Sequence, residues 1–356
     1  MGGTHVDSVA DIATVRDRLR ASRNATANAR ASVSEDDDTT ATVLAQVATM
    51  NFVVFIDDPA HRAWVIERAA IVADKHPSRF IVLDSTEATS GIDVSSTTRE
   101  DGGATVVNER VDIGVKPLSH EAIISLVQEL AVPDIPTVLW WSGARLLGSR
   151  TFSGIAAMAQ TVLVDSSGRA RDEETLRELC TFAERFPDVM LHDLAFMRLM
   201  PWQDIIAQFF DNPALRDDLF SIVGLEIESG SDAEAIYLAG WLGSRLSWEV
   251  SARDAFTDRR GTAITFAAVP KGDQRRVRSV VLRARTSTYR AELSDDDAHV
   301  VCLSVTGAHE QGMGCVPLHD IENTTLIERA ILENARDRIF ETSLDTVRAL
   351  LGPTPA

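Results

Sequence analysis

The sequence predicts an α/β protein in two parts, a mostly parallel α/β sandwich followed by an α+β domain on an antiparallel sheet. Three observations predict it. Between residues 46 and 167, short apolar runs (MNFVVFI, FIVL, TVLWW, TVLV) alternate with helical patterns, as in strands buried on both faces of a parallel sheet. After residue 167 the order changes to helices, then closely spaced strands, then a helix, which is the order of an α+β domain. The length of 356 residues, 45% of them hydrophobic, supports about two domains. The expected boundaries are 1–45 for an N-terminal helix and linker, 46–167 for the α/β domain and 168–356 for the α+β domain.

Taken in order, Val9, Ile12, Val15 and Leu19 recur at helical spacing over residues 6–21, with Ser8 as a cap. Residues 22–41 have almost nothing to bury and read as a linker. Met50 to Ile56 is a buried strand. Asp58 and Pro59 then open a helix, Asp58 by accepting from free amides and Pro59 by its preset φ; Pro77 ends it. Strands follow at Phe80–Leu83 and Thr105–Val115, with a polar, glycine-containing stretch between them. Ser119 caps a helix holding Ile123, Ile124, Val127 and Leu130. The run PTVLWWSG supplies the next strand, a helix surrounds Phe152, and TVLV ends at Asp165. Adjacent Trp140 and Trp141 point to opposite faces of their strand. One fills a core; the other needs a second core, a domain interface, or a pocket where it would act as a stacking platform for a sugar or other ligand. In the second part, helices are expected at 172–186, 202–210 and 232–247, and strands near 222–228, 263–269, 276–285, 287–293 and 298–306. Ser294-Asp295-Asp296-Asp297 makes a hairpin turn, and one long helix over 324–351 closes the chain.

The charge of −18 excludes the whole chain as a nucleic-acid or anionic-membrane binder. No apolar run approaches about 18 residues, so no membrane span is expected. The first residues lack a basic region followed by an apolar core, so no secretion signal is expected either. Cys180, Cys302 and Cys315 show no CxxC spacing; they fit a reducing cytosol and offer no metal or disulfide framework.

In a parallel sheet of this kind, ligands sit beyond the carboxyl ends of the strands. There the chain places Asp57-Asp58-Pro59, Asp84-Ser85-Thr86, Ser142-Gly143-Ala144-Arg145 and Asp165-Ser166-Ser167-Gly168. A phosphate cradle needs glycines and bare amides at a helix start. The first turn offers two carboxylates instead, and neither GxGxxG nor GxxxxGK[ST] occurs, so no nucleotide cofactor is expected. Asp57, Asp84 and Asp165 are weak metal candidates, with helix capping or turn formation as the plainer role. There is no GxSxG elbow and no HExxH, and His61, His76, His192 and His319 have no partner spacing. One basic cluster stands out: Lys271, Arg275, Arg276, Arg278, Arg283, Arg285 and Arg290 against Asp273 alone. It reads as a solvated sheet face or as a dock for an acidic partner or sugar phosphate, with Arg283 and Arg285 sharing a strand face.

Several segments together resemble the OpcA family of glucose-6-phosphate dehydrogenase assembly proteins. They are MNFVVFIDDPAHRAWVIERAAIVADKHPSRFIVLD (50–84), PDIPTVLWWSG (133–143), TVLVDSS (161–167), LAFMRLMPWQDIIAQFFD (194–211) and AIYLAGWLGSRLSW (235–248). The order HPSR, Trp pair, RLxPWxxxxxxFFD carries the likeness, which runs over about residues 46–250. The resemblance implies two domains, a non-catalytic role and glucose-6-phosphate dehydrogenase as partner. It supplies no catalytic residues and no cofactor. Matching positions that become candidate partner or ligand contacts are Arg79, Trp140, Trp141, Arg198, Trp202 and Arg245, joined by Arg283 and Arg285 from the basic cluster. Packing explains Trp202 and Trp241 equally well, pairing with buried carboxylates explains Arg198 and Arg245, and Arg198 and Trp202 share a helix face if the turn runs through Pro201. The expectation is a cytoplasmic, non-enzymatic effector of that dehydrogenase. The alternative is a sugar-phosphate sensor or a metal-dependent phosphate-processing enzyme using the Asp row.

Overall fold

The computed structural model describes residues 48–86, 91–101, 104–143, 149–167, 172–271, 276–319, 321–333 and 335–352, with positions 17, 21, 44 and 45. The helix and linker expected over residues 6–41 therefore lie, apart from positions 17 and 21, outside the described residues. The chain divides into two compact units. One comprises Met1–Val164, Phe186–Leu191 and Ile327–Leu332; the other comprises Asp165–Arg185, His192–Leu326 and Glu333–Ala356.

The first unit is built on a mostly parallel sheet. Its strands are β1 (Leu44–Ala45), β2 (Met50–Ile56), β3 (Ser78–Asp84), β4 (Ile92–Asp101), β5 (Ala104–Gly114), β6 (Thr137–Ser142), β7 (Thr161–Val164) and β8 (Met190–Asp193), whose residues from His192 on belong to the second unit. They run in the order β1-β5-β3-β2-β6-β7-β8, with β4 antiparallel on β5. Every residue of β2 and β3 is buried, because helices cover both sheet faces. Helix α1 (Pro59–Lys75) starts where expected: Asp58 accepts from Ala60 N at 2.8 Å and Pro59 occupies the first turn. Helices α2 (His120–Leu130) and α3 (Arg150–Ala156) are capped by Ser119 and Ser149.

The tryptophan pair resolves into two sides of this one sheet. Trp140 meets Trp64 of α1 edge-on at 6.0 Å. Trp141 stacks on Phe55 at 3.9 Å and takes Phe152 of α3 edge-on at 5.1 Å. Trp140 and Trp141 are each 1% exposed, so both pack within the unit. Gly143 follows because nothing larger fits: a Cβ there would lie 2.5 Å from Trp141 Nε1.

The second unit carries β9 (Ile222–Ser229), β10 (Glu249–Ala252), β11 (Ala255–Thr257), β12 (Ala263–Pro270), β13 (Val277–Ala284), β14 (Ser287–Leu293), β15 (Val300–Gly307) and β16 (Gln311–Pro317). The order is β10-β11-β12-β9-β13-β14-β15-β16, antiparallel except for the parallel pair β12–β9. Register separates two kinds of row. Phe266, Leu225, Leu282, Tyr289 and Val305 lie opposite one another across five strands, and all are buried. One residue along, the row is Ala267, Glu226, Val281, Arg290 and Ser304, on the opposite face. The apolar face is covered by helices. The helices of this unit are α4 (Asp172–Arg185), α5 (Leu194–Met197), α6 (Met200–Gln208) and α7 (Asp232–Leu246), followed after β16 by α8 (Asn323–Leu332), whose residues from Ile327 on belong to the first unit, and α9 (Arg338–Leu351). Helix α7 lies on β9 and β12, and α9 lies on α7 and α4. The α7–α9 crossing is close enough that a Cβ on Gly240 would meet Val347 Cγ2 at 2.6 Å.

Four expectations are corrected. The glycine-containing stretch before residue 104 includes strand β4, which pairs antiparallel with β5 off the main strand order. Strand β8 adds to the first sheet beyond residue 167. The closing helix is two helices: Asp337 accepts from Ile339 N at 2.8 Å and Phe340 N at 3.0 Å, which starts α9 afresh. Finally, Cys302 and Cys315 form a disulfide, because β15 and β16 place them directly opposite each other. Their spacing along the chain reveals nothing of that register. Cys180 is free and buried. Among the described residues no helix is long and apolar enough to cross a membrane.

Candidate functional site

The richest polar cluster belongs to the second unit and grows from the ends of its elements. Asp193 closes β8 and caps α5, accepting from Ala195 N at 2.9 Å. The same carboxylate accepts from Ser166 N at 3.0 Å and from the Tyr237 hydroxyl of α7 at 2.8 Å. Ser231 caps α7 and accepts from Glu234 N at 3.4 Å, which sets Glu234 in the first turn. Asp165 takes Ser167 N and Oγ at 3.2 and 3.0 Å.

Arg198 joins these parts. It sits at the C-terminal end of α5. Its Nη1 donates to Asp165 Oδ2 at 3.0 Å and to Asn323 Oδ1 at 3.2 Å. Its Nη2 donates to Asp165 Oδ1 at 2.7 Å and to Ser167 Oγ. Its Nε faces Glu234 Oε1 at 3.6 Å. A guanidinium has five N–H donors. Four are bonded and the fifth points to a carboxylate, so a phosphate or sugar reaching Arg198 would have to displace Asp165.

Electrostatics follow from burial. Three carboxyls surround one cation; Glu234 and Asp193 are buried, while Arg198 and Asp165 keep 22% and 24% of their side-chain surface exposed. Burial pushes Glu234 up to about 8, against the pull of Arg198 and with Asp165 adding to the rise. Asp193 is raised by burial and by Asp165. For Asp165, burial is outweighed by Arg198 and the Ser167 hydrogen bonds, so its carboxyl lies below the usual range. Burial and the Asp193 carboxylate push the Tyr237 hydroxyl well above its ordinary value. The cluster is thus built to hold a proton among its carboxyls near neutral pH.

The other sequence candidates are dispersed. In the first unit, Arg79 is buried and donates from Nε to Glu109 Oε2 at 2.7 Å and from Nη1 to the Leu130 carbonyl at 2.8 Å. Trp140 and Trp141 are enclosed as described. Trp202 is 3% exposed within α6, a different helix from the one Arg198 ends, so the two share no face. Arg245 is exposed on α7 and has no ion-pair partner among the described residues. Arg283 lies on the open face of β13 and holds Glu226 at 2.6 Å, whereas Arg285 lies past the end of that strand and donates to Thr262 Oγ1 at 3.4 Å. A register shift at Arg283–Ala284 breaks the alternation that would have put both arginines on one face. The basic run is also neutralised from elsewhere: Lys271 meets Glu228 at 2.6 Å and Arg290 meets Glu292 at 3.6 Å.

The Asp row divides. Asp57 and Asp84 belong to the first unit, and Arg62 Nε donates to Asp84 Oδ2 at 2.5 Å. Asp165 is bound to Arg198 in the second. Among the described residues no group of three or more His, Cys, Asp or Glu is placed to hold a metal ion. Glu234, Asp193, Tyr237 and Asn323 were not foreseen. Two signals were present: Asp193 precedes an apolar run as an N-cap does, and Ser231-x-x-Glu234 is a capping-box pattern whose glutamate here serves Arg198 instead.

Fold and cluster together define a two-unit α/β protein whose most elaborate polar site is turned inward on its own arginine. Residues 69–181 match the family model described as glucose-6-phosphate dehydrogenase subunit N-terminal domain, and residues 189–344 match the corresponding C-terminal domain. These two matches cover most of the chain, which belongs to the OpcA family. The chain is 26% identical over 268 residues to OpcA of Synechococcus elongatus, covering 68% of this chain and 59% of the relative. It is 29% identical over 250 residues to OpcA of Nostoc punctiforme, covering 63% and 53%. It thus spans little more than half the length of these relatives. Among solved structures it is similar to KijD10, a 3-ketoreductase from Actinomadura kijaniata (TM-score 0.49, 11% identity, 85% of this chain and 96% of that one). A second is an NAD binding oxidoreductase from Klebsiella pneumoniae (TM-score 0.49, 13% identity, 85% and 95%). At that identity and score the likeness carries nothing about this chain's chemistry.

Proposed function

We propose that this chain is a cytosolic, non-catalytic effector that binds glucose-6-phosphate dehydrogenase and favours its assembled, active state at the entry to the oxidative pentose phosphate pathway. The match of both halves to domains described as subunits of that enzyme carries the reading. The inward-facing Arg198 cluster supports it, since every donor of its central cation is already engaged within the fold. An effector of this kind works through differential affinity: it shifts the dehydrogenase only by as much as it prefers one of its states. A preference of about 1.4 kcal/mol changes the active fraction about tenfold where that fraction is small.

The test is an assay of the dehydrogenase over a titration of this chain, with mass measured by light scattering after size exclusion. Activity should rise and saturate, and a species containing both proteins should appear. Separate peaks together with an unchanged rate would overturn the reading. Turnover of a phosphate ester by the chain alone would overturn its non-catalytic part.

A further inference from the structure

Acidic residues outnumber lysine and arginine in this chain by 53 to 35, so an arginine here should find a carboxylate. In the second unit Arg177, Arg198, Arg253, Arg283 and Arg290 each meet one. Arg245, Arg259, Arg260 and Arg285 are all exposed, and none of them has an ion-pair partner among the described residues. The fold gathers these four at one end of the unit. Arg245 lies in the last turn of α7. Ser247 ends that helix, and Arg259 Nη2 donates to Ser247 Oγ at 2.7 Å. Arg259 and Arg260 occupy the turn between β11 and β12. The same turn carries Thr262, to whose Oγ1 Arg285 Nη2 donates at 3.4 Å. Asp258 opens the turn, with Oδ1 taken by Arg260 N and Thr262 N at 2.8 and 2.7 Å.

Beside these arginines stands an uncovered aromatic ring. Phe220 is 60% exposed, the most exposed large apolar side chain among the described residues. It lies near the end of a 3-10 helix over Pro213–Ser221, and the carbonyl of Ser221 accepts from Arg285 N at 3.1 Å. Arg216 and Asp217 of that helix add no net charge. Like charges gathered in this way repel one another. The negative end of α7 relieves Arg245 and Arg259, and the Asp258 carboxylate relieves Arg260. Each guanidinium still keeps most of its five donors for a ligand. That ligand has to be anionic and to bring apolar surface for Phe220. A long polyanion would run from this end onto a chain carrying −18, which repels it. A short acidic stretch meets the arginines alone, because charges beyond about 10 Å are screened in about 0.1 M salt. Arginine and aromatic side chains are also what protein–protein interfaces are enriched in.

We propose that this end of the second unit docks a short acidic segment of a partner protein, with Arg245, Arg259, Arg260 and Arg285 taking its carboxylates and Phe220 packing against an apolar side chain between them. The surface follows from the geometry of the second unit alone, so it stands or falls separately from any effect on the dehydrogenase.

The experiment is fluorescence anisotropy of a labelled peptide of about ten residues, glutamates flanking a central leucine pair, titrated with the full chain from about 1 µM to 1 mM. Wild type should bind, and less tightly as salt rises. Arg260→Glu and Arg285→Glu should each raise Kd about tenfold or more, because each sets a carboxylate against the peptide's own. Arg260 makes no side-chain hydrogen bond among the described residues, so that variant should keep the wild-type melting temperature. Phe220→Ala should raise Kd about threefold or more at any salt concentration. Lys271→Glu makes the same change of charge past the opposite end of β12, about 25 Å from the turn, and should leave Kd within about twofold. A peptide left unbound by the wild type would overturn the proposal. So would a Kd unmoved by Arg260→Glu, Arg285→Glu or Phe220→Ala, or one that Lys271→Glu raises as much as Arg260→Glu does. A single-stranded DNA of equal charge, bound as tightly and lost in the same variants, would assign the surface to phosphate and overturn it as well.

Discussion

Each unit holds an arginine paired with a buried carboxylate, and the two are balanced differently. Arg79, in the parallel-sheet unit, meets one carboxylate, Glu109, and the Leu130 carbonyl at the end of α2. Arg198, in the antiparallel-sheet unit, faces Asp165 and Glu234, with Asp193 behind them. Three acids share one cation, and the surplus can only be met by protons. The first arrangement is a fixed pin between strands. The second is a pin whose charge depends on pH, placed between the end of α5 and the first turns of α7.

The largest expected effect is loss of either cation. Arg79→Ala and Arg198→Ala should each lower stability by about 3–5 kcal/mol, because each strands buried carboxylate. Calorimetry at pH 8 measures both. The test sharpens at pH 5.5: part of the Arg198→Ala loss should be recovered there, since Glu234 and Asp193, already raised by burial, take up protons. A loss as large at pH 5.5 as at pH 8 would mean that these carboxyls do not absorb the charge the arginine leaves behind.

A smaller effect isolates the proton. Folded Glu234 titrates at about 8, against 4.5 for an unperturbed glutamate. Between those values the native state binds more protons than the unfolded one, so stability is fully present below about pH 4.5 and falls as pH rises through 8. Glu234→Gln removes the dependence. The variant should lose less stability than wild type between pH 6 and 8.5, by at most a few kcal/mol. Parallel stability–pH curves would place the proton elsewhere.

How much of this was legible differs between the units for physical reasons. Strands buried on both faces announce themselves as apolar runs, so β2, β3, β6 and β7 were readable. The tryptophan pair needed one core and, for the second indole, another core, an interface or a pocket; both proved to be packed on the two faces of a single sheet. Edge strand β4 was not readable, because an edge needs little apolar surface. In the second unit most strands were placed within a residue or two, but the consequences of their pairing were hidden. Glu226 and Arg283 are far apart in sequence and adjacent in space, so a linear count saw a basic cluster where the fold has ion pairs. The Cys302–Cys315 bridge was missed for the same reason. The Arg198–Asp165 contact combined two residues already singled out for other purposes, one as a ligand contact and one as a metal candidate.

That bridge yields the next prediction in order of size. It closes a loop across one hairpin, with a sequence separation of 13. Reduction, or Cys302→Ser, should lower stability by about 2–3 kcal/mol. Amide exchange should increase in β15 and β16 first, with the Arg79 region unaffected. Loss of protection throughout both sheets would mean that the hairpin supports more than its own edge.

The smallest effect tests whether burial, and not ion pairing as such, gives the two pins their weight. Arg253 meets Glu173 at 2.5 Å in the same unit as Arg198, but the two side chains are 68% and 30% exposed. Water already solvates both charges, and holding two long side chains in one geometry costs entropy, so Arg253→Ala should change stability by less than about 1 kcal/mol. In about 1 M salt, where the screening length falls to about 3 Å, even that should vanish. Arg198→Ala should keep most of its effect in the same salt, because its donors are bonded inward and Glu234 beside it is buried. If salt instead abolished both effects alike, Arg198 would be acting as a surface charge, and the inward-turned reading of its cluster would fail with it.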